Sequence, residues 1–418
     1  MSRTDVRELP AASTGMQRGE VVVPTHVGDP VHGLLSCPAA PLVAGSLRAR
    51  GRAVRVGDLP GGTTEDGDAR LYLVTCPRED GGTVALAAAA APGDGLSAAA
   101  ARAAVEEWAA VCANRSLLLA GTPWCSGALH AASAARQAAA EHQGTGRHVY
   151  VLTPAAMPPE TMAALGDLGA IVTDSLDGIE PGAVVVFPAH GVTAQLRAEA
   201  DRRGVTLVDA TCPMVAAAQA AASRAAELGH QLVLIGQPAQ ADTSPISSQA
   251  PGRVTVVDTA AKTAAVSARD GSPVSYLLQP GFALEAGAPL VSALRSRYPA
   301  ARPAVLAEIC YAPSDRAGTI YSVALGSDVM LVVGDPQSSD ARYVGTIARD
   351  AGTKVALIGG ADDIRPAMLA SAQSIGMAES TSAEAGLAAR VLDALSGLGR
   401  LTVARRRLST EKAVSTLG

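Results

Sequence analysis

Residues 208–219 read VDATCPMVAAAQ: an apolar stretch that stops at a cysteine, a proline one position later, then a run of small helix formers. The segment VTLVDAT has the apolar, β-branched character of a buried strand, and Pro213 suits the first turn of a helix, where a missing N–H is not needed. Cys212 therefore falls at the carboxyl edge of a sheet, where α/β proteins bind ligands. The pattern recurs twice. SLLLAGTPWCSGALHAASAARQAAAEH puts Cys125, and PAVLAEICYAPSDRAGTIYSVALG puts Cys310, in the same strand-to-helix position. The stretches between the three cysteines are nearly equal, each about the size of one α/β lobe, so three lobes that point one sulfur each at a shared centre are expected.

A chain of 418 residues is too long for one ordinary core, and two to four packed α/β units are expected. Hydrophobic residues make up 48% but aromatics only 3%, so Ala, Val and Leu must build the cores, which suits helices laid on parallel strands. The net charge is −5, lysine occurs only at 262, 354 and 412, and no basic block is interleaved with aromatics. No nucleic-acid partner is expected. The first residues, MSRTDVRELPAASTGMQRGE, lack the apolar core of a signal peptide, and the longest apolar run, TVALAAAAA, is too short to span a bilayer. A cytoplasmic location without a membrane partner follows. Thiols there stay reduced, so the six cysteines (37, 76, 112, 125, 212 and 310) are expected as free core residues, metal ligands or catalysts rather than disulfides.

Residues 1–20 read as a flexible polar tail, and 21–114 as a small α/β domain of unassigned role, with strands EVVVPT, AVRVGDL, LYLVTC and TVALAAAA and helical stretches at 38–51 and 96–114. PGGTTEDGDAR (60–70) reads as a plain exposed loop. Three α/β lobes are then expected over 115–205 (completed by 390–418), 206–305 and 306–389. Their strands are HVYVLTP, GAIVTD and AVVVFPAHG, then HQLVLIG, RVTVVD and VSYLLQ, then VMLVVGD and TKVALIGG. In the N-terminal domain, the spacing of His26, His32 and Cys37 fits no zinc pattern, which favours structural roles over a second metal site.

A cysteine at a helix amino end feels the positive end of the helix dipole, which favours the metal-binding thiolate. Taken singly, each cysteine reads as a small buried hydrophobe; three in one structural position shift the reading toward a thiophilic metal site. Zinc would add a fourth ligand or an open water position, with His190 in FPAHGV the nearest candidate. A four-iron cluster on three cysteines would leave one iron with an open coordination position. Spacing alone does not choose between them.

FPAHGV, DATCPMV and EICYAPSDR, in that order and at those separations, resemble the motifs of the hydroxymethylbutenyl diphosphate reductases, the LytB/IspH family, over roughly residues 115–400. The resemblance implies a trefoil of three α/β lobes around a [4Fe–4S] cluster held by Cys125, Cys212 and Cys310. It also implies that the open iron grips a substrate hydroxyl, which two electrons and two protons remove as water. The electron donor is expected to be a ferredoxin or flavodoxin, since no GxGxxG loop marks a nicotinamide site.

The family's anion pocket is altered here. Its first histidine, in a His-Asn pair, is replaced by Met157 followed by Pro158; His190 matches the second. Its His-Pro-Glu segment becomes QADTSP within IGQPAQADTSP, which puts Gln240 for the histidine and Asp242 for the proton-relaying glutamate. Pro280 of LQPGF replaces a hydroxyl, and the Asn-Ser-Ser-Asn motif becomes QSSD, with Ser338 and Ser339 kept and Asp340 in place of the amide; Ser382 matches the last phosphate-binding serine. Met157 and Pro280 offer no donor, and a carboxylate about 4 Å from a phosphate costs roughly 4 kcal/mol at an effective dielectric near 20. The expectation is thus a reductive dehydration of an allylic or similarly activated small alcohol without the usual diphosphate. The alternatives are an authentic diphosphate reductase with a rebuilt pocket and a non-catalytic iron–sulfur sensor or ligand-binding protein. Asp242 is either the proton donor or a solvated loop aspartate. His190, at a strand end beside glycine, reads as a pocket donor, His130 as a helix-surface residue, and Arg316 as either a surface or a cluster-supporting residue.

Overall fold

Strands that are apolar on both faces need cover on both sides, and alanine-rich helices supply it at short range. The computed structural model describes residues 5–13, 15–59, 66–78, 80–152, 157–268, 271–304 and 309–410. Its N-terminal part holds β1 (Arg7–Ala11), β2 (Glu20–Pro24), β3 (His26–Asp29), β4 (Gly33–Ser36), α1 (Ala40–Ala49), β5 (Ala53–Gly57), β6 (Ala69–Pro77), β7 (Thr83–Ala90) and α2 (Gly95–Ala110). The sheet runs β1-β6-β7-β2-β5, antiparallel except where β2 meets β5, and β3 and β4 form a separate hairpin.

Next come β8 (Arg115–Ala120), α3 (Ser126–His142), β9 (Val149–Leu152), α4 (Pro159–Asp167), β10 (Ile171–Thr173), β11 (Val184–Phe187), α5 (Ala194–Arg203) and β12 (Thr206–Asp209). Then follow α6 (Pro213–Glu227), β13 (Gln231–Ile235), α7 (Thr243–Ser247), β14 (Val254–Val257), α8 (Ala260–Ala264), β15 (Val274–Leu278), α9 (Leu284–Arg297) and β16 (Arg302–Pro303). The last set is α10 (Ala312–Leu325), β17 (Val329–Val333), α11 (Ser339–Asp350), β18 (Lys354–Ile358), α12 (Pro366–Leu369), β19 (Ser374–Glu379), α13 (Leu387–Ser396) and β20 (Leu401–Arg406).

The three later sheets repeat one topology. Their orders are β10-β9-β11-β12, β14-β13-β15-β16 and β18-β17-β19-β8-β20, all parallel. In each, the first strand of the lobe lies centrally, the second strand pairs on one side of it, and the third pairs on the other. The chain therefore reverses direction across the sheet between β9 and β11, β13 and β15, and β17 and β19, and a crevice opens outside the carboxyl ends at such a point. The α/β class with parallel-sheet lobes and an N-terminal α/β domain is the one expected.

The boundaries differ from the expectation at four places. Residues 7–11 of the supposed tail form β1, whose backbone pairs with β6. Strand β8 does not open the first lobe: it is inserted between β19 and β20 of the last sheet, so the segment after 390 completes that sheet instead. Residues 206–209 form β12, the edge of the first lobe's sheet rather than part of the second. Parallel pairing ties strands distant in sequence, which local pattern does not reveal. Of the strand expected before Cys310, residues 305–308 lie outside the described residues, as do 60–65 of the loop at 60–70.

The chain divides into two compact units, residues 1–123 with 317–407, and residues 124–316 with 408–418. In the first, the N-terminal domain and the last parallel sheet share one apolar core running from Ala11 to Leu401. Trp108 lies fully inside it and donates from its indole nitrogen to Ser46 at 3.0 Å, which satisfies the one polar atom of a large buried ring. Helix α1 reaches the turn at Ala361–Asp363 because Gly45 has no Cβ: one placed there would collide with the Asp362 carbonyl. In the second unit, α3 lays Ala131, Ala135, Ala138 and Ala139 on Val149, Val184 and Val186, the helical spacing of a small-residue face against a sheet.

Candidate functional site

Each of the three cysteines stands at or just before the start of a helix. Cys125 is the N-cap of α3, and its sulfur accepts the Ala128 N–H at 3.4 Å. Cys212 is the N-cap of α6, with Pro213 in the first turn as the sequence predicts and its own N–H donated to the Ala189 carbonyl at 2.9 Å. Cys310 lies just before α10, half-buried, and its sulfur accepts the N–H groups of Ala312 and Gly281. Burial pushes the Cys310 thiol up, those two N–H groups pull it down, and charge on Cys125 and Cys212 raises it further. The last effect requires the three sulfurs to share one neighbourhood, and all three belong to the same unit.

A glycine makes that neighbourhood roomy. A Cβ on Gly127, in the first turn of α3, would lie 2.7 Å from the Cys212 sulfur and 3.8 Å from the Cys125 sulfur. Gly127 thus keeps clear the space between two of the thiols. Three sulfurs, backbone N–H groups aimed at two of them and a cleared space beside two of them fit an iron–sulfur cluster, in which thiolates bind iron and N–H donors to sulfur tune it. A single zinc ion would draw its ligands to within bonding reach of one point. Among the described residues, no three His, Cys, Asp or Glu side chains are gathered for one ion, and His190 does not complete such a set.

In the unit that holds the cysteines, the pocket candidates follow the carboxyl ends of the strands that flank the β9/β11 and β13/β15 reversal points. After β11 comes His190, half-buried, with its pKa lowered by burial so that the ring is held neutral. After β13 come Gln240 and Asp242. Asp242 is fully buried and is not the solvated loop residue that one reading of the sequence allowed. Its Oδ1 accepts the Gln279 side-chain amide at 2.7 Å, while Oδ2 is buried without a hydrogen-bond partner. Burial, partly offset by the bond from Gln279, pushes its carboxyl up to about 6. Gln279 is itself fixed: its amide also donates to Thr243 Oγ1 at 2.7 Å and its carbonyl oxygen accepts the Gln237 N–H at 2.7 Å. Any side chain on Gly236 would strike it.

After β15 comes Pro280, half-buried and without a donor, then Gly281 at φ +85°, where a Cβ would stand 2.8 Å from the Gln240 amide nitrogen. Gly281 thus touches Gln240 on one side and presents its N–H to Cys310 on the other. Met157, after β9, packs against the apolar cluster that includes Leu165 and Val184.

In the other unit, Ser338 caps α11: its oxygen accepts the Ala341 N–H at 3.1 Å and the Ser382 hydroxyl at 2.9 Å. Ser382 in turn accepts the Asp335 N–H at 3.0 Å, and Ser339 is exposed in the first helical turn. Asp340 is not a bare anion beside these hydroxyls. Its Oδ2 accepts both the N–H and the hydroxyl of Thr381, at 2.7 and 3.1 Å, and holds the loop after β19. This engagement is a correction to the reading in which Asp340 simply repels phosphate.

Residues that sequence reasoning passed over include Gln279, Gly127, Gly236 and Thr381. His130 is exposed on α3, as expected. In the N-terminal domain, His32 Nδ1 contacts Asp29 at 2.9 Å, His26 faces Asp58 at 3.8 Å and Cys37 is buried, so each has a separate structural setting.

Comparison with known proteins follows this geometry. The profile of the family described as LytB protein matches residues 117–396. The chain belongs to the LytB family. The 4-hydroxy-3-methylbut-2-enyl diphosphate reductase 2 of Mycobacterium bovis is 40% identical over 267 residues, which is 63% of this chain and 81% of that protein. The reductase 1 of Mycobacterium tuberculosis gives the same figures, 40% identity with 63% and 81% covered. The corresponding reductase of Cereibacter sphaeroides is 36% identical over 232 residues, 55% of this chain and 73% of that one. Among solved structures, the E-1-hydroxy-2-methyl-but-2-enyl-4-diphosphate reductase from Plasmodium falciparum superposes with a TM-score of 0.60 at 19% identity, covering 71% of this chain and 94% of that one. This LytB chain is therefore an oxidoreductase of the iron–sulfur type, and its first 116 residues lie outside the match. No helix among the described residues is long and apolar enough to cross a membrane.

Proposed function

We propose that the protein carries out a two-electron reductive removal of an allylic hydroxyl as water, R–OH + 2e⁻ + 2H⁺ giving R–H + H₂O, with a [4Fe–4S] cluster held by Cys125, Cys212 and Cys310. Two helix-capping thiols, Cys125 and Cys212, beside the space that Gly127 keeps clear, with Cys310 close enough to feel their charge, carry this reading. When bound, such a cluster supplies the electrons and an iron with an open coordination position. Asp242 supplies the proton. Gln279 occupies Oδ1, so the proton rides on the bare Oδ2, and a carboxyl that titrates near 6 keeps a protonated fraction close to neutral pH. Neutral His190 donates or accepts through its ring according to tautomer, without adding charge.

The relatives favour 4-hydroxy-3-methylbut-2-enyl diphosphate as the substrate. Within its own unit, Ser338 accepts in both of its bonds and so keeps its own hydroxyl proton at the amino end of α11, whereas Ser382 gives its proton to Ser338. With Asp340 engaged by Thr381, its charge is a weaker objection to a diphosphate than it is in the sequence. A second reading, an activated alcohol without a diphosphate, draws on Met157 packed in the apolar cluster and on Pro280, which leave two donor positions empty. In either case a ferredoxin or flavodoxin is the proposed electron donor, and the cytoplasm the proposed location.

Anaerobic turnover of the cluster-loaded protein with a chemical reductant tests both. Loss of the hydroxyl from 4-hydroxy-3-methylbut-2-enyl diphosphate supports the first. No reaction there, with turnover of a non-phosphorylated allylic alcohol, supports the second. If no alcohol reacts or alters the cluster's absorption, the enzymatic reading fails and a sensor or ligand-binding role replaces it.

A further inference from the structure

Two cysteines outside the LytB match face each other. Cys76, near the end of β6, and Cys112, just past α2, bring their sulfurs to 2.9 Å across 36 residues of chain. Cys76 is 2% exposed and Cys112 half-buried. Two thiols packed merely as small hydrophobes sit at van der Waals separation, about 3.5–4.0 Å even for carbon pairs. The two sulfurs stand closer than that, between van der Waals contact and the roughly 2.05 Å of a covalent bond. The contact with Cys112 lowers the Cys76 pKa; the same contact and burial raise that of Cys112, and the nearby Arg115 guanidinium offsets part of the rise. Neither residue has a part in the chemistry proposed for the LytB site.

We propose that Cys76 and Cys112 form a reversible, redox-sensitive disulfide that locks the N-terminal sheet to the segment through which the chain enters β8. The oxidant is a small hydroperoxide. One thiolate attacks the peroxide oxygen, the O–O bond breaks, and the resulting sulfenic acid is attacked by the second sulfur with loss of water. In sum, two thiols and hydrogen peroxide give one disulfide and two waters; two electrons pass from sulfur to oxygen. Cys112 occupies the link between α2 and β8, and Arg115 at the head of β8 holds the same link by donating to the carbonyls of Val111, Leu369 and Ala372. The bond therefore joins a contact network that already binds the N-terminal domain to the last parallel sheet. Closing the intervening loop restricts the unfolded chain and stabilises this junction.

The full-length, cluster-loaded protein, purified anaerobically, is titrated with hydrogen peroxide to about one equivalent, alkylated, and digested without reduction. The expected result is a Cys76–Cys112 linked peptide pair that dithiothreitol separates. The oxidised protein should melt a few degrees above the reduced one, and that difference should vanish in Cys112→Ser. Recovery of both cysteines as alkylated monomers, or their linkage to other cysteines, overturns the proposal. Should Cys112→Ser fail to fold, the wild-type peptide map decides it alone.

Discussion

Two sets of three cysteines occupy the molecule, and the difference between them is position. Cys37, Cys76 and Cys112 sit in or against the core of the N-terminal domain, and burial pushes Cys37 up to about 12, a thiol that stays protonated. Cys125, Cys212 and Cys310 stand at helix starts, two as N-caps, with backbone N–H groups on two of the sulfurs. An apolar surrounding penalises the thiolate; a helix amino end stabilises it. The same side chain therefore packs in one domain and offers itself to metal in the other.

The strongest way to break this comparison is to exchange sulfur for oxygen in each set. Cys212→Ser should abolish cluster binding and activity, read as iron and sulfide content and as visible absorption, whereas Cys37→Ser should retain both. Equal losses in the two variants would remove the distinction. Asp242→Asn sharpens it by separating proton supply from metal binding: turnover should fall roughly 10²–10⁴-fold while iron content stays unchanged.

The same residue sets a pH dependence of stability. Its folded pKa near 6 stands above the ordinary 3.8, so the stability it contributes is full below about pH 4 and is lost as pH rises through 6. That loss is about 3 kcal/mol at most. Denaturant titrations at pH 4 and pH 8 should show it in the wild type and not in Asp242→Asn.

Gly127→Ala tests the space between the thiols without replacing a ligand. A Cβ 2.7 Å from the Cys212 sulfur should cut cluster occupancy several-fold, and full occupancy would show that the site tolerates a side chain there. The smallest effect is expected at Asp340→Asn. Loss of a charge-assisted bond to Thr381 should cost about 1–3 kcal/mol in chemical denaturation. If Asp340 instead acts mainly by repelling phosphate, the variant's KM for the diphosphate should drop sharply.

Much of the site is legible in the chain because its parts are local. A strand, a cysteine and a helix start lie within a dozen letters, and Pro213 sits where a first helical turn tolerates it. The bonds that give Asp242 its character are not local. Gln279 is 37 residues away, and it arrives only because β15 pairs beside β13, which brings the two strand ends together. Burial of the aspartate in turn raises its pKa; a loop rich in Pro, Ser and Gln gives no hint of that in sequence. Asp340 shows the converse, a charge that looks repulsive by itself and is bound by the strand end 41 residues on.

The sequence alone pointed to most of the secondary elements, to the family and to the three candidate thiols, because periodicity, capping and spacing are properties of neighbouring residues. Tertiary structure decided the rest: that β8 joins the last sheet, that Gly127 clears a space beside two sulfurs, that Cys76 meets Cys112, and which oxygen of Asp242 is left bare. Each of these depends on which distant strands pair, and pairing in parallel sheets is settled only when the whole core packs.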